Sequence, residues 1–325
     1  MARPDSGRAV LYDPPPGPVK ESRRFRPVIP GTSQPRLGLA GGGGRDDTSK
    51  MPPPLLRSVT LNNGVAMPIL GLGVYQSQPG EETRNAVRDA LTLGYRHVDT
   101  ARAYQNERDV AAAIEESGVR RAEVFVTTKL WNSDQGYDAA LAAFDRSEAR
   151  LGGVRPDLYL IHFPVTRLRS ESWRALTRLY EEKRVRAVGV SNYTVRHLKE
   201  LLDESPLVPA VNQVEFHPFL FQRELLDLCR ARGVQLEAYA PLVRAQRMDH
   251  PVVQRIARAY RRTPAQVLVR WCIEHGVVVI PKSVQRARIE ENAQVFDFAL
   301  APADVAALDA LDAGLRTSWD PSDVP

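Results

Sequence analysis

The octapeptide ILGLGVYQ, residues 69–76, offers two readings of the whole chain. An apolar run followed by Gly71-x-Gly73 resembles the strand-to-helix turn that opens a doubly wound dinucleotide-binding sheet. That turn carries a third glycine three residues on, where helix and strand pack closely. Here the place is held by Gln76. The two glycines alone mark tight packing around a strand, so the rest of the chain must decide the fold.

Seven more short apolar runs come after it: YRHVD (95–99), VFVTT (124–128), LYLIH (158–162), AVGVS (187–191), VNQVE (211–215), QLEAY (235–239) and VVVIP (277–281). Longer amphipathic stretches lie between them, such as EETRNAVRDALTLG (81–94) and DAALAAFDRSEARLG (138–152), the latter stopped by glycine. Eight strands, each followed by helix-sized material, predict a (β/α)8 TIM barrel rather than an open sheet. Ahead of the first run, SVTLNNGVAMPIL (58–70) alternates around Asn62-Asn63-Gly64, which predicts an N-terminal β-hairpin.

The first 54 residues hold 11 prolines and 8 glycines, a composition with no apolar period to fold around. They are expected to form a disordered extension (1–54) ahead of the barrel domain (55–325), with Met51 an alternative start. Two motifs there mislead. AGGGGRDD (40–47) lacks the Lys-Ser/Thr of a phosphate loop, and no apolar segment follows the arginines of SRRFRP (22–27).

Hydrophobic residues make up 43%, enough for a large core, yet no run approaches the ~18 apolar residues of a membrane span. Of the net +5, the first fifty residues supply nine basic against five acidic groups, which leaves the body almost neutral. No nucleic-acid partner is expected. Cys229 and Cys272 are the only cysteines, neither at metal-ligand spacing, so no metal and a reducing, cytoplasmic setting are expected. The expected partner is a small molecule, and the chain is expected to be a monomer.

Barrel enzymes place their chemistry at the C-terminal ends of the strands. Those ends carry Asp99 after the second run, Lys129 after the third and His162 after the fourth, with Tyr104 on the loop beyond Asp99. Each has a plain structural reading: a turn cap, a packing tyrosine, a paired lysine, a core histidine. Four such groups on one rim suggest a joint task. An ammonium beside a phenol stabilises the phenolate and is expected to lower the tyrosine pKa from ~10. A carboxylate would keep that ammonium charged. The product is a proton donor for a developing alkoxide, with histidine orienting the substrate oxygen. No activated serine or thiol is present, so carbonyl reduction fits better than hydrolysis.

The motifs GYRHVDTARAYQNE, FVTTKLWN, DLYLIHFP, VGVSNY, NQVEFHP, AYAPL and IPKSVQRARIEEN, in this order over about 57–315, resemble the aldo-keto reductases, in particular microbial aldehyde and diketogluconate reductase-like members. The resemblance implies a catalytic tetrad of Asp99, Tyr104, Lys129 and His162, with Tyr104 as general acid. It implies NADPH (NADP+) bound without a Rossmann fold. Ser191, Asn192 and Gln213 would hold the carboxamide, and Tyr239 would stack on the nicotinamide. Leu242, Lys282, Ser283, Val284, Arg288, Glu291 and Asn292 would complete the cofactor contacts, with Lys282 and Arg288 on the 2′-phosphate. Tyr75, Trp131 and Phe163 would line the substrate pocket.

There are departures from the family pattern. Phe163 stands where the family usually has tryptophan, and Ala240 stands where serine is common. The segment VRAQRMDHP (243–251) is short for a cofactor clamp. Trp319, in the variable C-terminal segment, is a candidate substrate contact. The reading is an NADPH-dependent aldehyde or ketone reductase. Its rival is a nucleotide-sensing regulatory subunit on the same fold, which would bind NADPH tightly and turn over no aldehyde.

Overall fold

A computed structural model describes residues 57–153 and 155–325; the N-terminal extension expected at 1–54 lies outside them. Strands β1 (Ser58–Thr60) and β2 (Ala66–Pro68) form the expected hairpin, with Val59 opposite Met67. Gly64 supplies the left-handed residue of its turn, at φ 82°, and its N–H bonds back to the Leu61 carbonyl.

Eight parallel strands come next: β3 (Leu72–Gly73), β4 (His97–Asp99), β5 (Phe125–Leu130), β6 (Leu158–Ile161), β7 (Ala187–Ser191), β8 (Val211–Glu215), β9 (Gln235–Tyr239) and β10 (Val278–Val279). Bridges from Leu70 to Val279 and from Gly73 to Lys282 join the first of these to the last, so the sheet closes into a barrel. Between and after them run α1 (Glu81–Thr92), α2 (Glu107–Glu116), α3 (Tyr137–Arg150), α4 (Arg169–Glu181), α5 (Val195–Glu204), α6 (Arg223–Ala231), α7 (Pro251–Tyr260), α8 (Pro264–Glu274), α9 (Arg286–Ala293) and α10 (Pro302–Asp309). Helix α1 shows why such segments dock: Thr83, Ala86, Val87, Ala90 and Leu91 make one buried stripe, and Glu81 and Glu82 complement the positive end of its dipole. Two helices rather than one come after β9 and after β10.

The glycines of ILGLGVYQ serve that closure. A methyl group on Gly71 would sit 2.6 Å from His97 Nδ1, and one on Gly73 would sit 2.9 Å from the Ile280 carbonyl oxygen. At Gly73 the obstacle is backbone of the neighbouring strand, which cannot rotate away. Gly73→Ala is expected to cost about 1–3 kcal/mol through overpacking, read as a lowered midpoint in denaturant unfolding.

Strand alternation sorts the side chains. On β6, Leu158 and Leu160 join Leu61 and Met67 of the hairpin in one apolar cluster with Phe125, Val211 and Val278, so the hairpin plugs the lower end of the barrel. Tyr159 and Ile161 face outward, packing with Phe144 of α3 and Trp173 of α4. Above the apolar plug the inward positions turn polar: His97 and Asp99 on β4, Thr127 and Lys129 on β5, Gln213 and Glu215 on β8, Glu237 and Tyr239 on β9. Polar groups in a dry interior are stable only when paired, so this upper layer is where the site must be read.

Candidate active site

Strand β5 runs two residues longer than its apolar run suggests, to Leu130, which puts Lys129 inside the strand with all six residues buried. A buried ammonium needs a counter-charge. Lys129 Nζ finds it in Asp99 Oδ1 at 2.6 Å on the adjacent strand and adds the Thr100 carbonyl at 3.0 Å. Asp99 Oδ2 accepts from Gln213 Nε2 at 2.8 Å. Asp99 is therefore an ion-pair partner and not a turn cap.

Tyr104 reaches the same point by a folded-back turn. Residues Arg102–Tyr104 make a 3-10 turn, and Gln105 comes next in the left-handed region at φ 60°. Asn106 pins the turn from within: its Oδ1 accepts from Thr100 Oγ1 at 2.7 Å, and its Nδ2 donates to the Val74 carbonyl at 3.1 Å. The phenol oxygen ends 3.4 Å from Lys129 Nζ, which also lies 5.0 Å from the ring centre. His162, the residue after β6, sets its ring edge-on to Tyr104 at 5.7 Å. The four strand-end candidates thus converge on one rim.

The electrostatics correct one expectation. The Tyr104 phenol is held well above its ordinary range, by burial first and then by the charges of Asp99, Tyr75 and Glu237. The expected lowering by Lys129 is outweighed by that burial and by Asp99, which holds the ammonium at shorter range than the phenol does. His162 is pushed well below the usual histidine range, by burial and then by Lys129. It is a neutral imidazole at physiological pH, able to donate a hydrogen bond.

Ser191, Asn192, Gln213 and Tyr239 form a continuous network beside this group. Ser191 Oγ donates to the Gln213 carbonyl at 2.8 Å, and Asn192 Nδ2 to the His162 carbonyl at 2.9 Å. Asn192 Oδ1 accepts from the Tyr239 hydroxyl at 2.8 Å. Lys282, Ser283, Val284, Arg288, Glu291 and Asn292 lie apart from the tetrad, after β10 and along α9, where Lys282 bridges back to Gly73. Among the described residues neither Lys282 nor Arg288 has a carboxylate within 4.0 Å, whereas Arg286 is paired with Asp89. Leu242 precedes a turn in which Val243, Arg244 and Ala245 all take positive φ. The short loop after β9 is therefore tightly wound.

Tyr75, Trp131 and Phe163 gather around Tyr104 and His162. Tyr75 is 44% exposed with its ring 5.0 Å from Tyr104, and Phe163 stacks on His162 at 4.8 Å with Trp131 edge-on to both. Trp319 joins this aromatic cluster, edge-on to Phe163 at 4.7 Å.

The chain's similarity to known proteins bears on this arrangement. The profile of the aldo/keto reductase family matches residues 69–313. The chain belongs to the aldo/keto reductase family. It is 48% identical to glyoxal reductase of Bacillus subtilis over 274 residues, covering 84% of this chain and 99% of that protein. Its fold is similar to MGS-M4, an aldo-keto reductase from a deep-sea metagenome library, with a TM-score of 0.80 and 43% identity over 83% of this chain and 100% of that one. It is also similar to the Bombyx mori aldo-keto reductase solved in complex with NADP, with a TM-score of 0.76 and 34% identity over 80% and 94% of the two chains.

Two buried carboxyls carry no mark in the sequence that singles them out. Glu237 shares the Gln213 amide with Asp99, at 2.9 Å. Glu215, the last residue of β8, accepts from Thr317 N–H at 2.7 Å, Thr317 Oγ1 at 2.5 Å and Ser318 N–H at 3.1 Å. It thereby fastens the segment that carries Trp319. The one signal that could have found them was an acidic residue at an inward strand position, where charge is rare unless paired. In Glu215→Ala, amide exchange at Thr317 and Ser318 is expected to quicken by about 10–100-fold, the loss of hydrogen bonds to a charged acceptor.

Proposed function

We infer that the chain is an NADPH-dependent carbonyl reductase that converts aldehydes or ketones to alcohols, with Tyr104 as proton donor. The observation that carries this reading is the phenol of Tyr104 on a rim it shares with a buried Lys129–Asp99 pair and a neutral His162.

The surrounding residues fit a nicotinamide dinucleotide. Ser191, Asn192 and Gln213 offer hydroxyl and amide groups for a carboxamide, and Tyr239 has a ring on which a flat heterocycle can stack. Lys282 and Arg288, cations with no carboxylate partner among the described residues, suit the 2′-phosphate. The bound nicotinamide supplies the hydride. The chain does the rest. His162 donates a hydrogen bond to the substrate oxygen and fixes its place. Tyr104 gives its proton to that oxygen as negative charge builds there. A high phenol pKa makes the acid weaker but leaves the transfer downhill, because an alkoxide is a far stronger base than a phenolate. It does disfavour the reverse reaction, which needs the phenolate as base.

The walls of Tyr75, Trp131, Phe163 and Trp319 suit flat or compact apolar carbonyl compounds. The buried free thiols of Cys229 and Cys272 suit a reducing compartment, and the enzyme is assigned to the cytoplasm. The deciding experiment is NADPH oxidation against a panel of aldehydes, ketoses and keto acids, repeated with NADH. Turnover of reactive aldehydes is expected, with NADPH preferred by at least about tenfold. No turnover with any carbonyl would end the reading, and equal efficiency with both cofactors would remove the role of Lys282 and Arg288.

A further inference from the structure

The proton-transfer scheme makes no use of Glu237, yet this side chain lies against its centre. It is fully buried, on the same face of β9 as Tyr239 and two residues below it. One nitrogen, Gln213 Nε2, donates both to Asp99 Oδ2 at 2.8 Å and to Glu237 Oε2 at 2.9 Å.

Charged and titratable groups face Glu237 from several elements. From β4 come Asp99 and His97, whose Nε2 is 3.6 Å from Glu237 Oε1. From β5 comes Lys129, and from the turn after β4 comes Tyr104. On its own sheet neighbours, β8 contributes the neutral Gln213, and β10 sets Val278 opposite it.

Two carboxyls therefore share one ammonium, and Lys129 is paired with Asp99. His97 gives no counter-charge, since burial and then Lys129 push it down to about 3. Glu237 Oε1 has no hydrogen-bond partner among the described residues. An ionised Glu237 would be an uncompensated charge in a dry interior, so in the free enzyme this carboxyl keeps its proton. Burial and then Asp99 push it up to about 8.

We propose that Glu237 is a charge-compensating group for the oxidised nicotinamide, its ionised form favouring NADP+ and its protonated form favouring NADPH. The proposal rests on the cofactor reading, in which Gln213 holds the carboxamide. Gln213 then hangs between that group and Glu237. The nicotinamide ring is positively charged only when oxidised, so a carboxylate on the far side of Gln213 would attract NADP+ and be nearly indifferent to NADPH. Linkage requires the converse: NADP+ binding makes Glu237 a stronger acid. The step is Glu237–COOH plus NADP+ giving Glu237–COO⁻ with bound NADP+ and one proton released to solvent. No covalent bond to the cofactor forms and no electron moves. As pH rises through the carboxyl's range, NADP+ therefore gains affinity relative to NADPH.

The test needs no turnover. Dissociation constants for NADP+ and NADPH are measured on the wild-type protein by nucleotide fluorescence and calorimetry, from about pH 6.5 to about pH 9.5, a window that brackets the value of about 8. The ratio Kd(NADP+)/Kd(NADPH) is expected to fall about tenfold across that window. Titration of the 2′-phosphate and of Lys282 is common to both nucleotides and cancels in the ratio. Calorimetry in two buffers of different ionisation heat is expected to show more proton release with NADP+ than with NADPH. Glu237→Gln keeps an acceptor for Gln213, and its ratio is expected to stay flat at the acid-side value. A flat wild-type ratio overturns the proposal whether or not the variant folds. An equal slope in Glu237→Gln assigns the effect elsewhere and overturns it too. Failure of either nucleotide to bind at any pH would instead overturn the cofactor reading itself.

Discussion

Tyr104→Phe is expected to slow NADPH-linked reduction of a reactive aldehyde by about 10²–10⁴-fold, the usual contribution of a positioned general acid. The substitution removes one oxygen and leaves the ring, so contacts with Tyr75 at 5.0 Å and His162 at 5.7 Å persist. Cofactor affinity, measured by fluorescence titration, should stay near wild type, because the residues proposed to hold the carboxamide and the phosphate lie on other elements. Retention of most activity would show that the proton comes from elsewhere. His162 is the least suited substitute, since burial keeps it neutral.

Lys129→Met should be the more damaging change, because it strikes stability and chemistry together. Methionine fills similar space but leaves Asp99 buried with one hydrogen bond from Gln213 and no counter-charge. Breaking a buried pair from one side typically costs about 3–5 kcal/mol. The cost should depend on pH in a definite direction. Without the ammonium, the folded-state pKa of Asp99 rises further above its unfolded value. The folded chain then holds a proton that the unfolded chain has already released, so stability falls as pH rises through that interval. Urea unfolding at about pH 5 and about pH 8 should therefore show the larger deficit at the higher pH. A deficit equal at both would mean that the loss is one of packing alone.

The fold was legible because the strands carry two independent patterns. Their apolar runs mark position, and strand ends such as Asp99 and His162 mark the rim. Each of the eight runs coincides with an observed strand, and the GxG of ILGLGVYQ proved to be packing glycines at the seam. What escaped detection depends on partners distant in sequence. Nothing near Glu215 announces that it fastens Thr317 and Ser318, and nothing near Glu237 announces that it shares an amide with Asp99. The strength of Tyr104 as an acid was misjudged for a related reason. A sequence shows that a lysine is available but not which partner has already taken its charge.

The seam between Leu70 and Val279 also governs how the barrel comes into being. It joins the first strand of the sheet to the last, so no closed barrel exists until nearly the whole body has been synthesised. Until then the growing sheet keeps open edges, β3 at one of them, whose free backbone donors and acceptors are the usual templates for wrong pairing between chains. A contact so distant in sequence also forms slowly, because the loop entropy must be overcome before the bridge contributes anything. Aggregation during refolding should accordingly be most sensitive to this seam. The two glycines that let the strands approach there bear as much on the yield of native protein as on its stability.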